Sequence, residues 1–174
     1  MHIMRSHVTL EAMKLSDKPS ADVEVVIDAP VEKVWPFICD PDLPAKFSEE
    51  FQGAVWLDGA QPSLGAKFKG TNKMGDRVWD TTSTITDFSV NEVFEWTVED
   101  LDNPVSIWSF RLSSNGGSTL LKMSGVLGTY TKTGLHAAIA KDPENEEKII
   151  GWRMNDWREN MLKTVEGIKQ LSEK

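Results

Sequence analysis

Cysteine is nearly absent from this 174-residue chain: Cys39 is the only one, so no internal disulfide can form. Basic residues are outnumbered, with 19 Lys and Arg against 27 Asp and Glu, a net charge of −8. A nucleic-acid binder needs a basic footprint on phosphate, and a protein docking on anionic lipid needs the same sign. Neither is expected here. No apolar run reaches the roughly 18 residues that a membrane-spanning helix requires. Residues 1–20 also lack the continuous apolar segment of a secretory signal. They are expected to be a flexible leader, followed by one domain over residues 21–174, with a cytoplasmic location as the default. Histidine is scarce as well: His2 and His7 fall in the leader and His136 stands alone. No pair has metal-ligand spacing, so neither a metal nor another cofactor is expected. Cys39 follows Trp35-Pro36-Phe37-Ile38. In that apolar setting a small buried hydrophobe outweighs a nucleophile, which would need a base beside it.

What the chain does have is periodicity. Ile150, Met154, Trp157, Met161, Thr164, Ile168 and Leu171 recur at steps of four and three, an apolar stripe along one side of a long helix. Asp142-Pro143 opens that helix, with Asp142 as its cap and Glu144, Glu146 and Glu147 near its positive end. At the other end of the chain, residues 22–28 alternate as a half-buried strand. Asp28-Ala29-Pro30 then starts a short helix, with Asp28 or Ala29 as cap and Val31, Val34, Trp35 and Ile38 as its apolar side. Asp40-Pro41 breaks it, and a second short helix is expected over 43–50. Six strands follow. Met74-Gly75-Asp76 and Asn115-Gly116-Gly117 mark tight hairpins. The expected inner faces carry Phe68 and Asn72, then Trp79, Thr81, Ser83 and Ile85, then Phe94 and Trp96, then Trp108, Phe110 and Leu112, then Leu121 and Met123. Residues 135–140 suggest a helical turn. No repeat or linker divides the chain.

The order of strand, two short helices, six strands and a long helix is the helix-grip arrangement. The residues support it: Val23-Glu24-Val25-Val26-Ile27-Asp28-Ala29-Pro30-Val31-Glu32-Lys33-Val34-Trp35 resembles the opening of the START-like, or Bet v 1-like, superfamily. Phe68-x-Gly70-x-Asn72, Trp79-x-Thr81, Phe94-x-Trp96, Gly117-Ser118-Thr119 and the final Asn160-Met161 and Gly167-Ile168-Lys169 resemble its bacterial polyketide cyclase/dehydratase and lipid-transport (SRPBCC) branch. The likeness covers about residues 22–172. It implies an α+β fold in which a curved antiparallel sheet of about seven strands wraps the C-terminal helix around a hydrophobic cavity. It implies no single reaction, because members bind, carry, cyclise or regulate.

On that reading Phe68, Trp79, Phe94, Trp96, Trp108 and Trp157 would give flat walls, and Met123, Met154 and Met161 adaptable ones. Asn72 and Thr81 would be polar contacts. The alternative is that these side chains fill one another's space as an ordinary core. Asn72 could equally bond the following turn. Arg153 and Asn160 flank the helical stripe and could orient a polar ligand group, although a surface pairing of Arg153 with Asp156 or Glu159 is the more expected arrangement. The carboxylates Asp80, Asp87, Glu95 and Glu99 fall on outward faces, leaving no evident acid–base pair. The leading expectation is therefore a binder of a hydrophobic or aromatic small molecule: a lipid, an isoprenoid quinone or a polyketide. An aromatase/cyclase- or dehydratase-type enzyme using Asn72 and Arg153 is the second. A partner-docking or co-chaperone-like module, using a surface or dimer contact around Trp152, is the third.

Overall fold

A computed structural model describes residues 13–174 and, ahead of them, the backbone of a short strand, β1 (Arg5–His7). The rest of the expected leader, His2 included, lies outside the described residues, as does the His7 side chain. Seven further strands complete one antiparallel sheet: β2 (Ser20–Ile27), β3 (Phe51–Trp56), β4 (Lys67–Met74), β5 (Arg77–Ser89), β6 (Val93–Val98), β7 (Ser106–Asn115) and β8 (Ser118–Leu127). Their spatial order is β1-β2-β8-β7-β6-β5-β4-β3. The long meander from β3 to β8 is therefore closed by β2 pairing back onto β8. Three helices accompany the sheet: α1 (Val31–Ile38), α2 (Gly134–Lys141) and α3 (Glu146–Ser172). This is the α+β helix-grip fold expected from the sequence, with β1 added at the edge beside β2.

The hairpin turns form where glycine allows them. Gly75 joins β4 to β5 with φ of 59°, and Gly116 and Gly117 join β7 to β8 with φ of 58° and 97°. A side chain would oppose each of these left-handed conformations. The sheet curves with help from register shifts between Phe51 and Gly53 and between Ile85 and Asp87.

Three local expectations are corrected. Pro30, extended at ψ of 157°, occupies the N-cap of α1 without a side-chain bond. Asp28 lies two residues ahead of that cap, its own N–H donated to the Glu173 carboxylate at 2.8 Å, and no side chain caps the helix. The second short helix shrinks to one 3-10 turn, Leu43–Lys46. Asn160 draws the chain out of helical geometry after it, accepting the Glu49 N–H at 3.1 Å. Finally, Asp142 opens a 3-10 turn, Pro143–Asn145, and α3 begins only at Glu146. The Asp142 carboxylate instead accepts from the Asn145 side chain at 2.9 Å.

The helical stripe is the centre of the core. Ile150, Met154, Met161 and Ile168 are buried, joined by Val165, and they meet Val23, Val25 and Ile27 of β2 and Leu121 of β8 within one cluster. Helix α3 packs chiefly on β2, beside α1. Lys169 ties its C-terminal end down, donating from Nζ to the Val26 carbonyl at 2.7 Å and pairing with Glu173. Thr119, fully buried, donates to the Ala29 carbonyl at 2.7 Å and fixes the start of α1. Outside, Asp80 pairs with Lys69 at 3.3 Å and Glu95 with Arg111 at 3.4 Å, which puts these carboxylates on the convex face as expected.

Met154 has no exposed surface, so truncating it removes well-packed atoms that the surroundings cannot replace. Met154→Ala should lower unfolding free energy by about 2–5 kcal/mol in urea titrations monitored by circular dichroism. Cys39 is buried, and desolvation pushes its thiol up to about 12. A thiol reagent at pH 8 should leave Cys39 unmodified in the native protein and react promptly once denaturant unfolds it.

Candidate functional site

The inward rows of the sheet taper in size from one side to the other. Trp96 of β6 stands in register with Trp108 of β7, Trp108 with Gly125 of β8, and Gly125 with Ala21 of β2. The next row runs Phe94, Phe110, Met123 and Val23. Small residues therefore lie on the side where α3 packs, and rings lie on the other. A cavity of about 190 Å³ remains between the ring-bearing strands, the helix and the segment joining α1 to β3.

Its walls include Phe68, Asn72, Trp79, Thr81, Phe94, Trp96, Trp108, Met123, Trp157 and Met161. Of the residues expected at the site, only Met154 is not on the wall. Its side chain is wholly buried in the core cluster, one turn from Trp157. The rings brace each other. Trp96 lies 14° from parallel to Trp108 with centroids 6.5 Å apart, and contacts Phe68, Phe94 and Phe110 at 6.2, 5.7 and 5.8 Å. Trp108 meets Trp157 of α3 at 4.3 Å. Trp108 can lean this way because position 125 is glycine: a Cβ there would sit 2.8 Å from its ring. The Trp108 indole N–H donates to Ser106 Oγ at 2.9 Å, which leaves the ring polar-satisfied. Gly70 does the same for Phe51, whose ring would lie 2.9 Å from an added Cβ. These braced rings form a preorganised apolar wall rather than a set of free rotamers.

Polar groups gather along one part of this wall. Asn72 donates to Thr81 Oγ1 at 3.5 Å across the β4–β5 pair, so it serves neither the turn nor the strand end. Asn160 Oδ1 accepts from Ser48 Oγ at 3.4 Å and from the Glu49 N–H, while its Nδ2 donates to the Asp156 carbonyl at 3.0 Å. Asn160 thus pins the segment before β3 to the helix. Arg153 departs most from expectation. It does bond Asp156, at 3.0 Å, but its principal partner is Glu50, met through two nitrogens at 2.5 and 2.7 Å. The pair is shielded, with side-chain exposures of 15% and 17%, and not a surface contact. The guanidinium also lies 5.5 Å from the Trp157 ring centroid. Burial raises the Asp156 carboxyl above its ordinary 3.8; Arg153 opposes the shift, and Glu50 and Glu159 add to it.

Sequence reasoning missed the α1–β3 segment, which contributes Asp40, Pro41, Pro44, Ser48 and Glu50 to the wall. Reading residues 43–50 as a helix hid Pro44, Ser48 and Glu50, and Asp40 and Pro41 were read only as a break. The signal available was the succession of proline and acidic residues from Asp40 to Glu50, which fits an irregular loop better than a helix. Among the described residues, no three His, Cys, Asp or Glu side chains converge as a metal-binding group. No buried side-chain polar atom among them lacks a hydrogen-bond partner.

This architecture recurs in solved structures. A polyketide-cyclase-like protein of Corynebacterium glutamicum superposes with a TM-score of 0.60 at 22% identity, over 92% of this chain and 93% of its own. The Zhui aromatase/cyclase of Streptomyces sp. R1128 gives 0.61 at 12% identity, over 87% and 93%. The major latex-like protein 151 of Panax ginseng gives 0.58 at 11%, over 88% and 96%. At these identities the likeness is one of fold. No curated protein matches the sequence significantly. Residues 18–146, however, match the family described as polyketide cyclase / dehydrase and lipid transport, so the chain belongs to that family.

Proposed function

We propose that this protein binds a small, predominantly apolar molecule, aromatic in part, in the cavity between its sheet and α3. The observation that carries the reading is the aromatic lining: four tryptophans, Trp79, Trp96, Trp108 and Trp157, line one partly open cavity and do not fill it. A core that only had to be stable would gain by filling that volume, since unfilled space forfeits dispersion contacts. Family membership supports the same reading. The size of the cavity narrows it. About 190 Å³ is near the roughly 150 Å³ of an engineered apolar cavity that takes benzene, and below the roughly 300–1,000 Å³ of pockets for drug-sized ligands. A compact ligand of one or two fused rings, or one segment of a longer lipid or polyketide, suits it better than an extended polycycle held whole.

Binding is favoured over catalysis because the polar groups at the wall are engaged with one another. Asn72 is bonded to Thr81, and Arg153 to Glu50 and Asp156. The Cys39 thiol is held protonated by burial, which removes it as a nucleophile.

Native mass spectrometry of freshly purified protein, with organic extraction, should reveal a co-purifying apolar molecule, or uptake from a panel of aromatic and lipid compounds. Binding should change tryptophan emission, because four of the seven tryptophans face the ligand. Thr81→Phe should project a ring into the space and weaken uptake by about tenfold or more, with the fold retained by circular dichroism. A clean apo mass with no uptake from the panel would remove the binding reading.

A further inference from the structure

The selectivity of the cavity follows from how its single cation is used, granted the proposal that the cavity is a ligand site. Among the described residues, Arg153 is the only cationic side chain on the wall, whereas Asp40 and Glu50 bring two carboxylates to it. Asp156, bonded to Arg153 from the adjoining turn of α3, adds a third. Arginine receives a carboxylate ligand through two parallel N–H bonds, and Glu50 already occupies that fork, Nη2 to Oε1 at 2.7 Å and Nη1 to Oε2 at 2.5 Å. The same Nη1 donates to Asp156, and the guanidinium carbon stands over the Trp157 ring. An incoming anion would have to expel Glu50 from this fork and leave a shielded carboxylate without its counter-ion, or take the remaining guanidinium N–H groups against the repulsion of the Glu50 and Asp156 carboxylates already bonded there. No lysine among the described residues lines the wall to compensate; Lys163, on the same helix, is engaged by Glu49 at 2.5 Å.

We infer that Glu50 is a specificity-determining residue: by filling the Arg153 fork it makes the cavity accept uncharged aromatic ligands and reject carboxylates of the same shape. The positive charge at the wall therefore serves to hold the α1–β3 segment against the helix, not to receive a ligand anion. Freeing the fork should convert the pocket into a carboxylate binder, a gain that a loss of folding cannot imitate.

The test uses 2-naphthol and 2-naphthoate, which share a ring system and differ in charge at neutral pH, titrated calorimetrically into the full chain. The native protein should bind the neutral compound at least about tenfold more tightly. Glu50→Gln should shift the ratio of 2-naphthoate to 2-naphthol affinity, both measured in the same variant, by about tenfold or more toward the carboxylate. In the double variant Glu50→Gln/Arg153→Met the gain should vanish, because the receiving fork has gone. Equal or tighter binding of 2-naphthoate by the native protein would overturn the inference while leaving the cavity a ligand site. So would an unchanged ratio in Glu50→Gln. If neither naphthalene nor any member of the apolar panel binds the native protein, the ligand-site reading itself falls and takes the selectivity with it.

Discussion

The cavity exists because α3 can approach only one side of the sheet. Ala21 and Gly125 place almost nothing between the helix and strands β2 and β8, whereas Trp96 and Trp108, in register with them, place two indoles. A straight helix of 27 residues cannot follow that step. It settles on the low side, where Val165 and Ile168 are buried and Lys169 reaches the Val26 carbonyl, and stands off the high side by the height of the rings. Trp157 and Trp108 meet across the step at 4.3 Å and are the contact from which the space opens.

Two clamps hold the open side at a fixed distance. Arg153 with Glu50, and Asn160 with Ser48 and the Glu49 backbone, tie successive turns of α3 to the segment entering β3. That segment has little regular structure of its own beyond the turn Leu43–Lys46, so its position depends on these bonds. Phe47 contributes from the other direction. Its ring rests against Gly167, where a Cβ would come within 2.3 Å. A glycine in the middle of a helix ordinarily weakens it, by roughly 0.5–1 kcal/mol relative to alanine. Here the absent side chain is what lets the loop lie flat on the helix. The wall of the cavity nearest solvent is thus built from polar clamps and one ring-on-glycine contact, and the inner wall from aromatic packing.

How much of this was legible in the sequence divides along the same line. Strand alternation named the inward residues of β4 to β8 correctly, because a period of two on a half-buried sheet leaves little freedom: Phe68, Ser83, Ile85, Phe94, Phe110, Leu121 and Met123 are all buried. The helical stripe from Ile150 to Ile168 was equally plain. Met154 shows the limit of that signal. A stripe says which side of a helix is buried, but not which turns of it face packed strands and which face a gap; that depends on the taper across β2, β8, β7 and β6, a long-range property. Glu50 and Arg153 show a second limit. They are 103 positions apart, and a spacing rule on one helix could find Asp156 but not a partner delivered by a distant loop.

The clamp at Arg153 also bears on how a family with one architecture can serve different ligands. On the reading proposed above, the inner wall of mutually braced rings would respond to shape and apolar area. On the same reading, the outer wall would respond to charge, and there Glu50 would decide whether the guanidinium is a free receptor or is consumed by an internal carboxylate. A desolvated ion pair contributes little net stability against an apolar alternative, since the cost of removing both charges from water offsets their attraction. Arg153 and Glu50 are therefore better understood as setting the geometry of the cavity wall than as holding the fold together, a task that α3 already accomplishes on β2.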